Sequence, residues 1–119
     1  MSYDPNNIFA KILRGEIPCT KRYEDDCALA FDDIQPAAPV HVLVIPKGDY
    51  CSFDDFVLRA PDVLKIGFFA AIQTVAAQLG VVETGYRLIT NHGADANQTV
   101  AHCHVHILAG RPLGALLPY

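Results

Sequence analysis

The sequence predicts an α+β fold: an antiparallel sheet of about five strands covered by one short and one long helix. Three observations carry this. Apolar residues recur at helical spacing near the N-terminus and again between residues 61 and 79. Short β-branched runs bounded by turn formers lie between and after those segments. At 119 residues, the chain suits one domain, 1–119, large enough for a real core.

The elements follow in order. Asp4-Pro5-Asn6-Asn7 leads into the short helix, where Ile8, Phe9, Ile12 and Leu13 share a face. Gly15 suits its C-terminal stop, and Ile17-Pro18 leaves extended. Thr20 to Glu24 and Cys27 to Phe31 read as a hairpin turned at Glu24-Asp25-Asp26. A proline-containing loop, 32–39, precedes the interior strand His41 to Ile45, which Pro39 and Pro46 bound. Pro61 to Leu79 is the long helix, stopped by Gly80. It is apolar on more than one face, which in so small a domain predicts burial of the second face against a partner subunit. Tyr86 to Thr90 is a further strand, Asn91 to Thr99 a loop of turn formers, and Val100 to Leu108 the last strand.

Composition narrows the function classes. With 51% hydrophobic and 18% charged residues, the chain is globular. It has no apolar run long enough to span a bilayer, so no membrane role is expected. Met1 to Asn7 is polar and lacks the basic-then-apolar layout of a secretory signal, which predicts a cytoplasmic protein. A net charge of −4 without a basic run speaks against nucleic-acid binding, although a pocket can still set its own field for a nucleotide. Cys19, Cys27, Cys51 and Cys103 form no Cys-x-x-Cys pair and read as reduced thiols.

The run His102-Cys103-His104-Val105-His106 carries the chemistry. On a strand, the histidines share one face, and Ala101, Cys103, Val105 and Ile107 share the other. Successive rings then root about 6.7 Å apart and can converge on one small anion. Chance produces such a row with a probability of roughly 0.01. A solvated strand face would more often carry Lys, Glu or Thr. Two readings remain: alternating histidines ligating zinc, or imidazole chemistry at phosphorus. Imidazole is nucleophilic at neutral pH and leaves well from phosphorus, and a neighbouring ring can stabilise phosphate oxygens. Histidine nucleophilicity predicts activity that falls below about pH 6.5. The loop just upstream, with Asn91, Gln98 and Thr99 as neutral donors, suits a phosphate cradle.

His102-Cys103-His104-Val105-His106-Ile107-Leu108 resembles the signature of the histidine triad (HIT) superfamily. Ile8-Phe9-Ala10-Lys11-Ile12, Gly15-Glu16-Ile17-Pro18, Phe31-Asp32-Asp33-Ile34 with Pro36, His41 to Lys47, Gly85 to Asn91 and Gln98 to Val100 resemble its Hint branch. The resemblance implies a HIT-type domain whose sheet extends across a homodimer. It implies hydrolysis of purine nucleoside 5′-phosphoramidates, of AMP or GMP type, without a cofactor. By position, His104 is then the nucleophile, His106 lies near the phosphate and leaving group, and His102 and His41 support them. Asn91 and Thr99 contact the phosphate region, together with Asn97 and Gln98 of the same loop. Asp33 takes the ribose hydroxyls, and Ile8, Phe9, Ile12, Phe31 and Ile34 line the base pocket.

Plainer readings stand beside these. Ile8, Phe9 and Ile12 read equally as core, Asp33 as a turn acid, His41 as a satisfied structural histidine and His92 as a loop residue. The chain also departs from the family. Asn97 stands where Gly is frequent, and Thr99 where Ser is. Asn7 and Ala10 occupy the positions of a Cys-x-x-Cys seen in some bacterial members, so that structural zinc is not expected. The tail after Arg111 contains no Trp. Two other functions fit the same residues: hydrolysis of dinucleoside polyphosphates through His104, and nucleotide or partner binding with incidental hydrolysis.

Overall fold

A computed structural model describes residues 2–117, so Met1 and the end of the Trp-less tail, Pro118 and Tyr119, lie outside the described residues. Asn7 starts the first helix by accepting the Ala10 backbone N–H at 2.9 Å, which caps α1 (Ile8–Leu13). Gly15 follows with φ 77°, a conformation that suits glycine at a helix end. The hairpin comprises β1 (Lys21–Glu24) and β2 (Ala28–Asp32). Asp25 Oδ1 accepts the N–H groups of Cys27 and Ala28 at 2.7 and 2.9 Å, which closes its turn. Then come β3 (Val40–Pro46), α2 (Phe53–Arg59), α3 (Asp62–Gln78), β4 (Arg87–Ile89) and β5 (Val105–Ala109). The strands form one five-stranded sheet in the order β1-β2-β3-β5-β4, and every neighbouring pair is antiparallel.

Strand alternation divides the interior into two layers. Ala28, Ala30, Val42, Val44, Val105 and Ile107 pack with Phe56 of α2 and Phe68, Ile72 and Val75 of α3. The alanines keep β2 low under α3, and Gly67 lets the helix approach: a Cβ there would collide with the Cys27 thiol. On the opposite face, Leu29, Phe31, Leu43 and Ile45 pack with Phe9 of α1. That face of β3 and β5 carries the histidines.

The structure differs from the expected elements in two places. The first is α2, which has no counterpart among the predicted helices, so two short helices accompany the long one among the described residues. Ser52 precedes it, and Asp55 Oδ2 accepts the Cys51 N–H at 2.8 Å across its first turn. The second is the last strand, which begins at Val105 rather than Val100. Its partner explains this. The β3 ladder reaches Val44 opposite Val105 and stops near Pro46, which has no N–H to donate. The Pro46 carbonyl is taken by the His102 ring at 3.1 Å. The preceding backbone bonds elsewhere: the Cys103 N–H donates to Tyr50 O at 2.7 Å, and Thr90 Oγ1 donates to His104 O at 2.7 Å. His102 and His104 therefore stand on an extended arm ahead of β5, not within it. The alternation survives, since Cys103, Val105 and Ile107 face the helix layer. Among the described residues, no helix is long and apolar enough to cross a membrane.

Candidate active site

A cavity of about 600 Å³, large enough for a nucleotide, opens on the α1 face of the sheet. One wall is apolar: Ile8, Phe9 and Ile12 from α1, Ile17 and Pro18 after it, and Phe31 and Leu43 from the sheet. The other is polar: Asp33, Asn91, Asn97, Thr99, His104 and His106. Ile34, 88% exposed, stands at the rim. Phe9 and Ile12 serve both as core and as lining, because Phe9 is buried in the layer that forms the cavity floor.

Fixed backbone partners assign the imidazole tautomers. His104 Nδ1 lies 2.6 Å from His102 O, so Nδ1 carries the proton and donates it, and Nε2 keeps a free lone pair. His41 Nδ1 accepts the Ala37 N–H at 2.9 Å. Its Nε2 therefore carries the proton, which it donates to His106 Nδ1 at 2.8 Å. That leaves His106 with its proton on Nε2. His102 Nε2 donates to Pro46 O, and its Nδ1 accepts the Tyr3 hydroxyl at 2.6 Å. His102 is fully buried and touches no part of the cavity. His41 likewise stands behind His106 rather than in the lining.

Burial sets the charge of His102, His104 and His106. It pushes His102 and His106 down to about 4 and lowers His104, with the nearby Asp33 carboxylate opposing the shift at both cavity rings. All three are therefore neutral near pH 7. A lowered pKa extends the neutral, nucleophilic form of His104 to more acidic solution. The acid limb of kcat/KM is accordingly expected below pH ~6.5 rather than at it. A pH–rate profile checks this, and a limb at or above ~6.5 contradicts it. The same shift ties folding to pH. The unfolded chain takes up protons near ~6.5, whereas folded His102 takes its proton only near about 4, so stability falls as pH drops through that window.

Phe9 packs edge-on against the His104 ring, with centroids 5.0 Å apart. Asp33 is a turn acid that also lines the cavity. Its Oδ1 accepts the Gln35 N–H at 2.8 Å as a turn acid, while Oδ2 lies 3.4 Å from His41 Nε2 beside the cavity. Gln98 is engaged internally: it donates to Cys51 O and Val100 O at 2.7 and 3.0 Å and accepts the Gly93 N–H at 3.0 Å. It braces the loop and is not part of the cavity lining. Asn97 adopts φ 58°, the left-handed region that glycine and asparagine tolerate, so its backbone matches the residue type frequent there. His92 pairs through Nδ1 with the buried Ser52 Oγ at 2.7 Å, which ties the loop to the start of α2. Tyr3, Ala37, Pro46 and Ser52 were not legible as site residues. Ala37 and Pro46 act through backbone groups that carry no residue-type signal, and Pro46, Ser52 and Tyr3 lie 56, 40 and 99 positions from their partners.

The zinc reading does not fit these donors. Both ring nitrogens of His102 are already engaged within the protein, so the alternating histidines cannot converge on one ion. Asp33, His41 and His106 do bring ligand-type atoms within 4.8 Å of one another. Yet His41 Nε2 must keep its proton while Nδ1 accepts from Ala37, and a metal ligand needs that lone pair.

Comparison with known proteins gives concordant results. The family model described as HIT domain matches residues 14–113. A 13.2 kDa HIT-like protein of Azospirillum brasilense is 55% identical over 116 residues, covering 98% of this chain and 95% of the relative. The purine nucleoside phosphoramidase of Escherichia coli K12 is 42% identical over 112 residues, covering 94% and 93%. Among solved structures, a histidine triad protein from Clostridium difficile superposes with a TM-score of 0.84 at 44% identity, covering 94% of this chain and 96% of that one.

Proposed function

The chain belongs to the HIT domain family, and on that premise we propose that it hydrolyses purine nucleoside 5′-phosphoramidates, of AMP or GMP type, through a nucleotidyl-His104 intermediate. Hydrolase chemistry on nucleotides is the broader assignment that the relatives support. The observation that carries the finer reading is the state of His104. Its Nδ1 proton is spent on His102 O, so Nε2 offers its lone pair at the edge of a cavity of nucleotide size.

The apolar wall of Ile8, Phe9, Ile12, Phe31 and Ile34 takes the purine, and Asp33 takes the ribose hydroxyls. Asn91, Asn97 and Thr99 hold the phosphate, with Gln98 bracing their loop. His104 Nε2 attacks the α-phosphorus, and the phosphorus–nitrogen bond opposite it breaks. The amine departs neutral, taking a proton from solvent water at the cavity mouth, and the water of the second step returns one to solvent. His106 presents its Nε2 proton to the phosphate oxygens as charge builds on them, and His41 fixes it in that tautomer. Water then displaces His104 and releases the nucleoside monophosphate. No cofactor enters this scheme. Adenosine and guanosine phosphoramidates, offered beside dinucleoside polyphosphates, test the assignment. Preferential turnover of the phosphoramidates supports it, and preferential turnover of the polyphosphates overturns it.

We read residues 1–119 as one domain that works as a cytoplasmic homodimer. Val63, Ile66 and Phe69 of α3 are 74%, 70% and 54% exposed, a costly surface for a lone subunit. The two sheet edges also differ. β1 carries the charged residues Lys21, Arg22 and Glu24, which blunt an edge, whereas β4 exposes Leu88 and Ile89. A second copy meeting at β4 and α3 continues the sheet and covers the helix. Light scattering is expected to give a dimer for the wild type and a monomer for Ile66→Glu. A monomeric wild type contradicts this reading.

A further inference from the structure

Tyr3 precedes the residues that match the family model, yet it reaches the buried histidine behind the nucleophile. Its hydroxyl lies 2.6 Å from His102 Nδ1, and its ring meets the His102 ring edge-on with centroids 5.6 Å apart. We propose that Tyr3 is a positioning residue for the reaction: by donating its hydroxyl proton to His102 Nδ1, it locks the His102 ring and, through the His102 carbonyl, the orientation and tautomer of His104. The proposal rests on the reading of His104 as nucleophile.

The chain of contacts is short and runs from a half-buried phenol through a buried ring. His102 is fully enclosed, so each of its ring nitrogens needs a partner within the protein. Nε2 has Pro46 O and Nδ1 has Tyr3. With both filled, only one tautomer and one ring orientation satisfy the site. The same residue's carbonyl accepts the His104 Nδ1 proton at 2.6 Å, the contact that leaves Nε2 free. Burial raises the Tyr3 phenol above its usual pKa of ~10, so it keeps the proton it donates. Without the hydroxyl, His102 Nδ1 becomes a buried acceptor with no donor. The alternative tautomer does not help, because it points the Nε2 lone pair at the Pro46 carbonyl. The ring then shifts, and the carbonyl that holds His104 shifts with it.

Tyr3→Phe in the full chain isolates the hydroxyl, since the edge-on ring contact is retained. Two readouts are needed. With adenosine 5′-phosphoramidate, kcat is expected to fall about tenfold with KM within about twofold, because Tyr3 lies behind the nucleophile and not against the substrate. In substrate-free protein, long-range ¹H–¹⁵N spectra of the imidazoles are expected to show His104 as pure Nδ1–H in the wild type and as mixed tautomers in the variant. An unchanged kcat, a loss carried by KM, or unaltered His102 and His104 spectra would overturn the proposal and leave Tyr3 as a tether for the N-terminal segment. The two assignments fail separately. Wild-type protein inert toward phosphoramidates defeats the substrate reading, while the imidazole spectra still decide the lock.

Discussion

Replacing His104 with alanine is expected to lower kcat/KM by at least about 10³-fold, which corresponds to ~4 kcal/mol of lost transition-state stabilisation. The reason is specific to its position. Of the four clustered imidazoles, His102 has both ring nitrogens engaged by Tyr3 and Pro46, and His41 has Nδ1 on Ala37 N–H and Nε2 on His106. His106 retains a free N–H, which can donate but not attack. Only His104 combines a free lone pair with a place in the cavity lining. The substitution removes one buried hydrogen bond to a carbonyl, at a stability cost of about 1–2 kcal/mol, so the variant stays folded. Thermal unfolding measured beside turnover separates the two effects. Residual activity within about tenfold of wild type would assign the attack to another group.

The second large effect is on stability. Phe56→Ala is expected to cost about 3–5 kcal/mol and to lower the unfolding midpoint by roughly 10–20 °C. Phe56 is 1% exposed and meets both Tyr50 and Phe68 edge-on with centroids 5.2 Å apart. Its loss leaves a cavity where α2, α3 and the sheet join. The site should feel this as well, because the start of α2 holds several of its supports. Tyr50 O takes the Cys103 N–H, Cys51 O takes Gln98, and Ser52 pairs with His92. Calorimetry or denaturant unfolding reads the stability, and a loss below about 1 kcal/mol contradicts the packing described.

Where a segment's own pattern decides its structure, the sequence was legible. The apolar stripe of α1, the β-branched run of β3 and the Gly-stopped α3 appear within a few residues of their expected bounds. The sheet and its antiparallel pairing follow from them. Helix α2 was not legible. Seven residues make barely two turns, and its helical state depends on burying Phe56 against Phe68, a contact made in the tertiary fold. The start of β5 depended on register. Pro46 is visible in the sequence, but only the pairing of Val44 with Val105 brings it opposite the histidine arm.

The same division runs through the site. Alternation alone separated the histidines from Cys103, Val105 and Ile107. It could not say which ring attacks, because the tautomers are set by Ala37 N–H, Pro46 C=O and the Tyr3 hydroxyl, groups that carry no local signal. The donor loop was recognised as a unit, yet Gln98 turned inward to hold it while Asn91, Asn97 and Thr99 line the cavity.

The covalent step is open to direct measurement through the configuration at phosphorus. Attack by His104 followed by attack by water is two in-line displacements, and each inverts the centre. An adenosine phosphoramidothioate of single configuration, hydrolysed in ¹⁸O-water, should therefore give product with net retention. Net inversion would mean that water attacks the substrate directly and that His104 never bonds to phosphorus.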